Sequence, residues 1–133
     1  MVVVDANVVA YLLIEGEKTA QARKLWAKDP GWYAPRLLFY ELANVFSLLV
    51  KQGIVPLDAG LTGLTSGCNL VSMFDREPPA GRILQIASTL SLSAYDASYL
   101  TVAEILRAPL VTEDARLLRV APEIARSLES FGD

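Results

Sequence analysis

Short apolar runs alternate along the chain with longer segments whose apolar positions recur at helical spacing. "VVVDA" opens with a β-branched run that predicts a buried strand. Residues 6–15 and 17–28 follow as helices, the second turning Lys18, Arg23, Lys24 and Lys28 toward water. "GWYAP" is a brief second strand between Gly31 and Pro35. A long helix is predicted from Arg36 to Gln52, with Gly53 just past its end, where a left-handed residue closes a helix. Residues 57–68 form another helix, carrying Gly60, Gly63 and Gly67. No lysine follows these glycines, so they are not a phosphate loop; they mark either loose structure or, preferably, close packing against a neighbour. "NLVSMFD" reads as a third strand, Pro78 and Pro79 open the next helix, and a further helix begins near Ser93. "APLVTED" is a strand that the chain leaves at Thr112, and the tail from Ala125 to Phe131 adds an edge strand.

Strands alternating with helices predict an α/β fold: a single-domain three-layer sandwich spanning 1–133, with a mostly parallel central sheet flanked by helices. Ligands in such sheets bind beyond the carboxyl ends of the strands. Asp5 ends the first strand and Asp114 lies just past "PLVT", so both stand where this architecture places chemistry.

Composition narrows the chemistry. The chain's 133 residues suit one domain. A 53% hydrophobic content fits either a densely packed core or an apolar surface kept for a partner. No apolar stretch is long enough to span a membrane, and "MVVVDAN" reads as a strand rather than a signal peptide. The one cysteine, Cys68, fits a reducing cytoplasm and is read as packing. Twelve Lys+Arg against fifteen Asp+Glu give a net charge of −3, which excludes a generic polyanion binder. There is no histidine, which removes Ser-His-Asp hydrolysis, HExxH zinc sites and histidine-based ribonuclease chemistry. Catalysis on this chain must rest on carboxylates.

Four carboxylates are candidates. Asp5 and Asp114 each precede a predicted helix and can serve as N-caps; Asp96 follows Ser93 in a capping-box spacing. Glu41, in "LLFYELANVF", is mid-helix and caps nothing. Its neighbours three and four residues away are Leu37, Leu38, Asn44 and Val45, so its face offers no cation. Asp96 and Asp114 likewise have only apolar or neutral residues three and four positions away, and Asp5 ends a valine run. Acids in such settings repel one another and resist ionisation unless a cation joins them. Oxygen-only ligands favour Mg²⁺ or Mn²⁺ over zinc.

These residues sit in motifs that resemble the PIN domain, the nuclease fold of VapC-type toxins in toxin–antitoxin pairs. The likeness is carried by "VVVDANVV", "FYELANV", "LSAYDASYL" and "APLVTEDARL", in family order from Val2 to Leu117. It implies Mg²⁺-dependent (or Mn²⁺-dependent) endonucleolytic cleavage of RNA, with Asp5 and Asp96 as principal metal ligands and Glu41 and Asp114 completing the pocket. Asn7 and Thr112 fall where the family has small polar groups that steady a carboxylate or water, and are equally readable as turn residues. It also implies two partners, a second copy of the chain and an antitoxin whose tail covers the acidic groove. Lys18, Arg23, Lys24, Lys28 and Arg36 are candidate phosphate contacts or simply a solvated face. Trp26, Trp32 and Tyr40 can stack on bases or fill a core or dimer contact.

Competing readings remain. A phospho-acceptor or dehalogenase-like phosphatase shares the Asp after the first strand, but lacks here its D-x-D and its late lysine, since the last lysine is Lys51. A non-catalytic RNA- or protein-binding module would carry the acids as a vestige. A processing or quality-control nuclease would share the site without being a toxin.

Overall fold

The computed structural model describes residues 1–131. Its strands are β1 (Val2–Val4), β2 (Trp32–Ala34), β3 (Ser72–Met73), β4 (Leu110–Val111) and β5 (Ala125–Arg126). They form one sheet in the order β3-β2-β1-β4-β5, and every pairing is parallel. Val3 stands opposite Tyr33 on one side and Leu110 on the other, which makes β1 the centre of the sheet. The helices are α1 (Ala6–Leu13), α2 (Thr19–Lys28), α3 (Leu37–Lys51), α4 (Leu57–Leu70), α5 (Ala80–Leu90), α6 (Ala94–Leu106) and α7 (Ala115–Val120).

The strand order decides which face each helix covers. From β1 the chain steps outward through β2 to β3, crosses back, and then steps outward on the other side through β4 to β5. Right-handed crossovers therefore set α1 to α4 on one face and α5 to α7 on the other. The contacts agree: α1, α3 and α4 pack on one another, while α6 packs on α5, β1 and β4. With both faces covered, the β1 valines and both β4 residues are fully buried. The two winding directions part between β1 and β4, and a crevice opens there at the carboxyl edge.

The long helix α3 turns Leu38, Leu42 and Phe46 inward, four residues apart. It stops as expected at Gly53, whose φ of 72° lets its N–H reach the Val50 carbonyl at 3.0 Å while that of Ile54 reaches Leu49 at 2.9 Å. The glycines of α4 prove to be a packing face. A Cβ on Gly63 would stand 2.4 Å from the Phe46 ring, and one on Gly67 2.4 Å from a Leu42 methyl.

Two strand boundaries differ from the sequence reading. Asn69 and Leu70 finish α4, which leaves β3 only Ser72 and Met73 out of the expected "NLVSMFD". A short apolar run does not distinguish the end of a helix from a strand, and packing against α3 tips it to helix. At the tail, Ala125 and Arg126 do pair with β4 as an edge strand, but Leu128–Phe131 coil into a 3₁₀ turn. That turn lies against α2, where Leu128 is buried.

Candidate active site

Asp5 leaves β1 in an extended conformation and caps α1, its Oδ1 accepting from the Val8 N–H at 3.0 Å. Its second oxygen accepts from the Thr112 hydroxyl at 2.6 Å. Thr112, fully buried just past β4, in turn accepts from the Asp114 N–H at 3.0 Å. One threonine thus ties the carboxyl ends of the two central strands together. Asp114 caps α7, its Oδ1 accepting from Arg116 and Leu117 N–H at 2.8 and 3.1 Å, so only its other oxygen remains for the crevice. Asp96 lies in the first turn of α6, its own N–H donating to the capping Ser93 hydroxyl at 3.1 Å. Glu41 projects from the second turn of α3. The capping roles expected of Asp5, Asp114 and Ser93 are therefore real, and they orient the acids that border the crevice.

Asp5, Glu41, Asp96 and Asp114 all line one pocket of about 270 Å³. Leu110 and Leu117 wall it, and Asn7 stands exposed at its mouth. Burial, chiefly, pushes Asp5 up to about 6; Glu41 and Asp114 add repulsion, while the Thr112 and Val8 bonds oppose it. Glu41 is raised by burial, against the neighbouring Tyr99 hydroxyl, with Asp96 adding repulsion. Asp96 is raised by burial and then by Asp114, against the Ser93 hydroxyl and the Arg116 guanidinium. Arg116 amends the sequence reading, in which no cation was in view of Asp96. Its guanidinium is nonetheless committed to the Ser91 carbonyl.

Sequence reasoning overlooked three further lining residues: Tyr11, Tyr99 and Glu113. Tyr99 is buried (3% exposure) with its hydroxyl beside Glu41, and burial followed by Glu41 raises its pKa. Its three-residue offset from Asp96 on one helix was the available signal. Glu113 adjoins Asp114, yet only the fold shows that its side chain turns to Lys18 at 3.0 Å.

The basic candidates are mostly engaged. Besides Lys18, Arg23 pairs with Glu15 at 3.1 Å, and Lys28 donates to the Phe131 carbonyl at 3.1 Å. Arg36 reaches the Asp75 carbonyl and approaches Glu77 at 4.0 Å, and Lys24 is exposed on α2. Trp32 is a core residue (1% exposure) against which Trp26 packs edge-to-face at 5.2 Å. Tyr40 is open to solvent.

The donor set suits a hard divalent cation, since every ionisable group in the pocket presents oxygen. Among the described residues, no three His, Cys, Asp or Glu side chains are already gathered into a metal cage. Mg²⁺ does not demand one: it keeps several waters and takes one or two carboxylates directly.

Fold and pocket together define the class: a parallel α/β protein with an all-oxygen acidic site at the switch point of its sheet. Residues 2–122 match the PIN domain family. Over 121 residues the chain is 37% identical to a VapC ribonuclease of Mycobacterium bovis and to ribonuclease VapC9 of Mycobacterium tuberculosis, with 88% of each chain covered. In three dimensions it is similar to PAE2754 from Pyrobaculum aerophilum (TM-score 0.79, 26% identity, 96% of this chain and 89% of that one). The VapBC2 structure from Rickettsia felis, bound to a DNA fragment from their promoter, shares the fold at a TM-score of 0.69 and 15% identity, covering 96% and 98% of the two chains. The chain belongs to the PIN-domain family.

Proposed function

We propose that this protein is a divalent-metal-dependent endoribonuclease acting as the toxin of a VapBC-type pair. The observation that carries the reading is the convergence of Asp5, Glu41, Asp96 and Asp114, from four separate elements, on one pocket at the carboxyl edge of the sheet. The ribonuclease relatives support it by name and by the extent of their match. Asp5 and Asp96 would hold the metal, with Glu41 and Asp114 completing its shell directly or through water. When bound, Mg²⁺ or Mn²⁺ supplies an acidified water and neutralises charge building on the scissile phosphate. Thr112 and the Val8 N–H hold the Asp5 carboxylate in one orientation, so little rearrangement is needed on binding. Glu41, which caps no helix, and the second oxygen of Asp114 would take a proton from an attacking water. Leu110 and Leu117 dry one wall, which strengthens each of these interactions.

The exposed apolar residues Leu48, Ile54, Leu57 and Leu61, gathered in sequence around the α3–α4 turn, support a second copy of the chain as a partner. An antitoxin whose tail covers the acidic groove is the partner that the family likeness implies, and a reducing cytoplasm is the matching compartment for the single free cysteine, Cys68. Among the described residues no helix is long and apolar enough to cross a membrane. The test is cleavage of total RNA with mapped ends, with Mg²⁺ and with chelator. Asp5→Asn and Asp96→Asn should each reduce cleavage by about 10²-fold or more. Full activity in the double variant, or in chelator, sinks the assignment.

A further inference from the structure

A second depression, about 560 Å³, opens directly beside the acid pocket and shares Ala6, Asn7 and Glu41 with it. Two tyrosines line it from different helices: Tyr40, next in sequence to Glu41 on α3, and Tyr95, next to Asp96 on α6. They are 70% and 64% exposed, although a tyrosine ring gains by burying its flat face. Leu37 and Val45 add apolar lining to the same depression, and Asn44 an amide.

The charge distribution limits what this trough can hold. A polyphosphate approaching the acid pocket meets five carboxylates, one of them paired with Lys18, and a net charge of −3. Four of the five basic candidates already have partners, Lys18 with Glu113, Arg23 with Glu15, Lys28 with the Phe131 carbonyl and Arg36 with the Asp75 carbonyl, while Lys24 is exposed on α2. With so few cations uncommitted, affinity for a single strand calls for a source besides phosphate contacts. Base stacking on aromatic faces is that source, and it works for any base.

We propose that Tyr40 and Tyr95 form a nucleobase subsite, receiving an unpaired base adjacent to the scissile phosphate of the RNA substrate. This rests on the ribonuclease reading and specifies how its substrate is held. An unstacked base lying over Leu37 and Val45 between the two rings would hold its neighbouring phosphate over Glu41, where the two depressions meet. Single-stranded segments are therefore preferred to duplex, whose bases are not free to enter.

The experiment is binding of a short single-stranded RNA bearing 2-aminopurine at successive positions, measured without divalent metal so that no cleavage intervenes. Quenching of the fluorophore at one position reports stacking. Tyr40→Leu and Tyr95→Leu should each weaken binding about tenfold and abolish the quench. Tyr40→Phe and Tyr95→Phe, which keep the ring, should retain both. The slope of log K against log salt should stay shallow, close to that of one or two released counterions. In cleavage with Mg²⁺, the Leu variants should raise KM with little change in kcat.

Unchanged binding and quenching in both Leu variants overturns the subsite while leaving the nuclease intact. Leu variants that alter the sedimenting species but not RNA affinity also overturn it, and assign the tyrosines to a protein contact. A steep salt slope with no quench shows that phosphate contacts hold the strand, and overturns it equally. RNA that is bound and stacked but never cut, even with Mg²⁺, defeats the ribonuclease reading and leaves the base subsite standing.

Discussion

Asp5 carries two structural bonds and a functional assignment on one carboxylate, and its titration exposes the conflict between them. Folded, it sits at about 6 against an ordinary 3.8, mainly because it is buried. Between those values the native state holds a proton that the unfolded chain has lost, so stability rises as pH falls through that window. Glu41 and Asp96, also raised, act in the same direction. Asp29 and Glu104, lowered by exposed partners, act in the opposite sense at more acidic pH, and weakly because water screens them. The shift at Asp5 corresponds to at most about 3 kcal/mol of destabilisation once it ionises. We therefore expect metal-free Asp5→Asn to be about 1–3 kcal/mol more stable than the native chain at pH 7.5. Urea unfolding in chelator at pH 5 and 7.5 measures this. A variant as pH-sensitive as the native chain would show that the strain lies elsewhere. Metal binding should weaken below pH 6, since its ligands must first ionise.

At the scale of elements, α3 matters most, because it presents Glu41 on one side and packs α4 on another. The contact with α4 depends on missing side chains. A Cβ at position 63 would enter the Phe46 ring, and one at 67 would meet Leu42 at 2.4 Å and Leu13 and Val9 at 3.2 Å. Gly63→Ala and Gly67→Ala should each destabilise by about 1–3 kcal/mol, overpacking outweighing the gain in helix propensity of about 1 kcal/mol. Gly81→Ala on α5 is the control: nothing lies within 4 Å of its Cβ. It should be neutral or stabilise by up to about 1 kcal/mol. Thermal unfolding of the three variants decides; a tolerated Gly67→Ala would mean that α3 and α4 are less closely held than their contact suggests. A loosened α3 would also displace Glu41, so cleavage should fall in the same variants.

The whole molecule leaves Leu57 and Leu61 in water, at 76% and 63% exposure, on the outer side of α4. Charges placed there cost a monomer little and an interface a great deal. Sedimentation should find the native chain dimeric and Leu57→Glu/Leu61→Glu monomeric, with the unfolding temperature of the variant measured alongside. A monomeric native chain would remove the dimer and leave those leucines to another partner. The pocket itself draws on both faces of the sheet, taking Glu41 from the α1–α4 side and Asp96 from the α5–α7 side, with Asp5 and Asp114 at the strand ends between them. No isolated half of the chain contains the site.

Much of this was legible in the amino-acid order, because local physics writes it there. The β-branched run of β1, the four-residue apolar spacing of α3, the glycine that closes it and the capping residues before α1, α6 and α7 are set by near neighbours in sequence. Glu41 stood out because residues three and four positions away cannot satisfy a carboxylate. Family motifs in order then joined the four acids into one expectation. Only the tertiary structure decided what distant segments do to one another. It assigned Asn69 and Leu70 to a helix, coiled the tail after Arg126 and placed Trp32 in the core. It turned Thr112 into the link between Asp5 and Asp114, spent Lys18 on Glu113 and set Tyr40 and Tyr95 along one trough. Those contacts join residues as much as 107 positions apart. Periodicity and capping act over a few residues, so they carry no record of which remote side chain will be met.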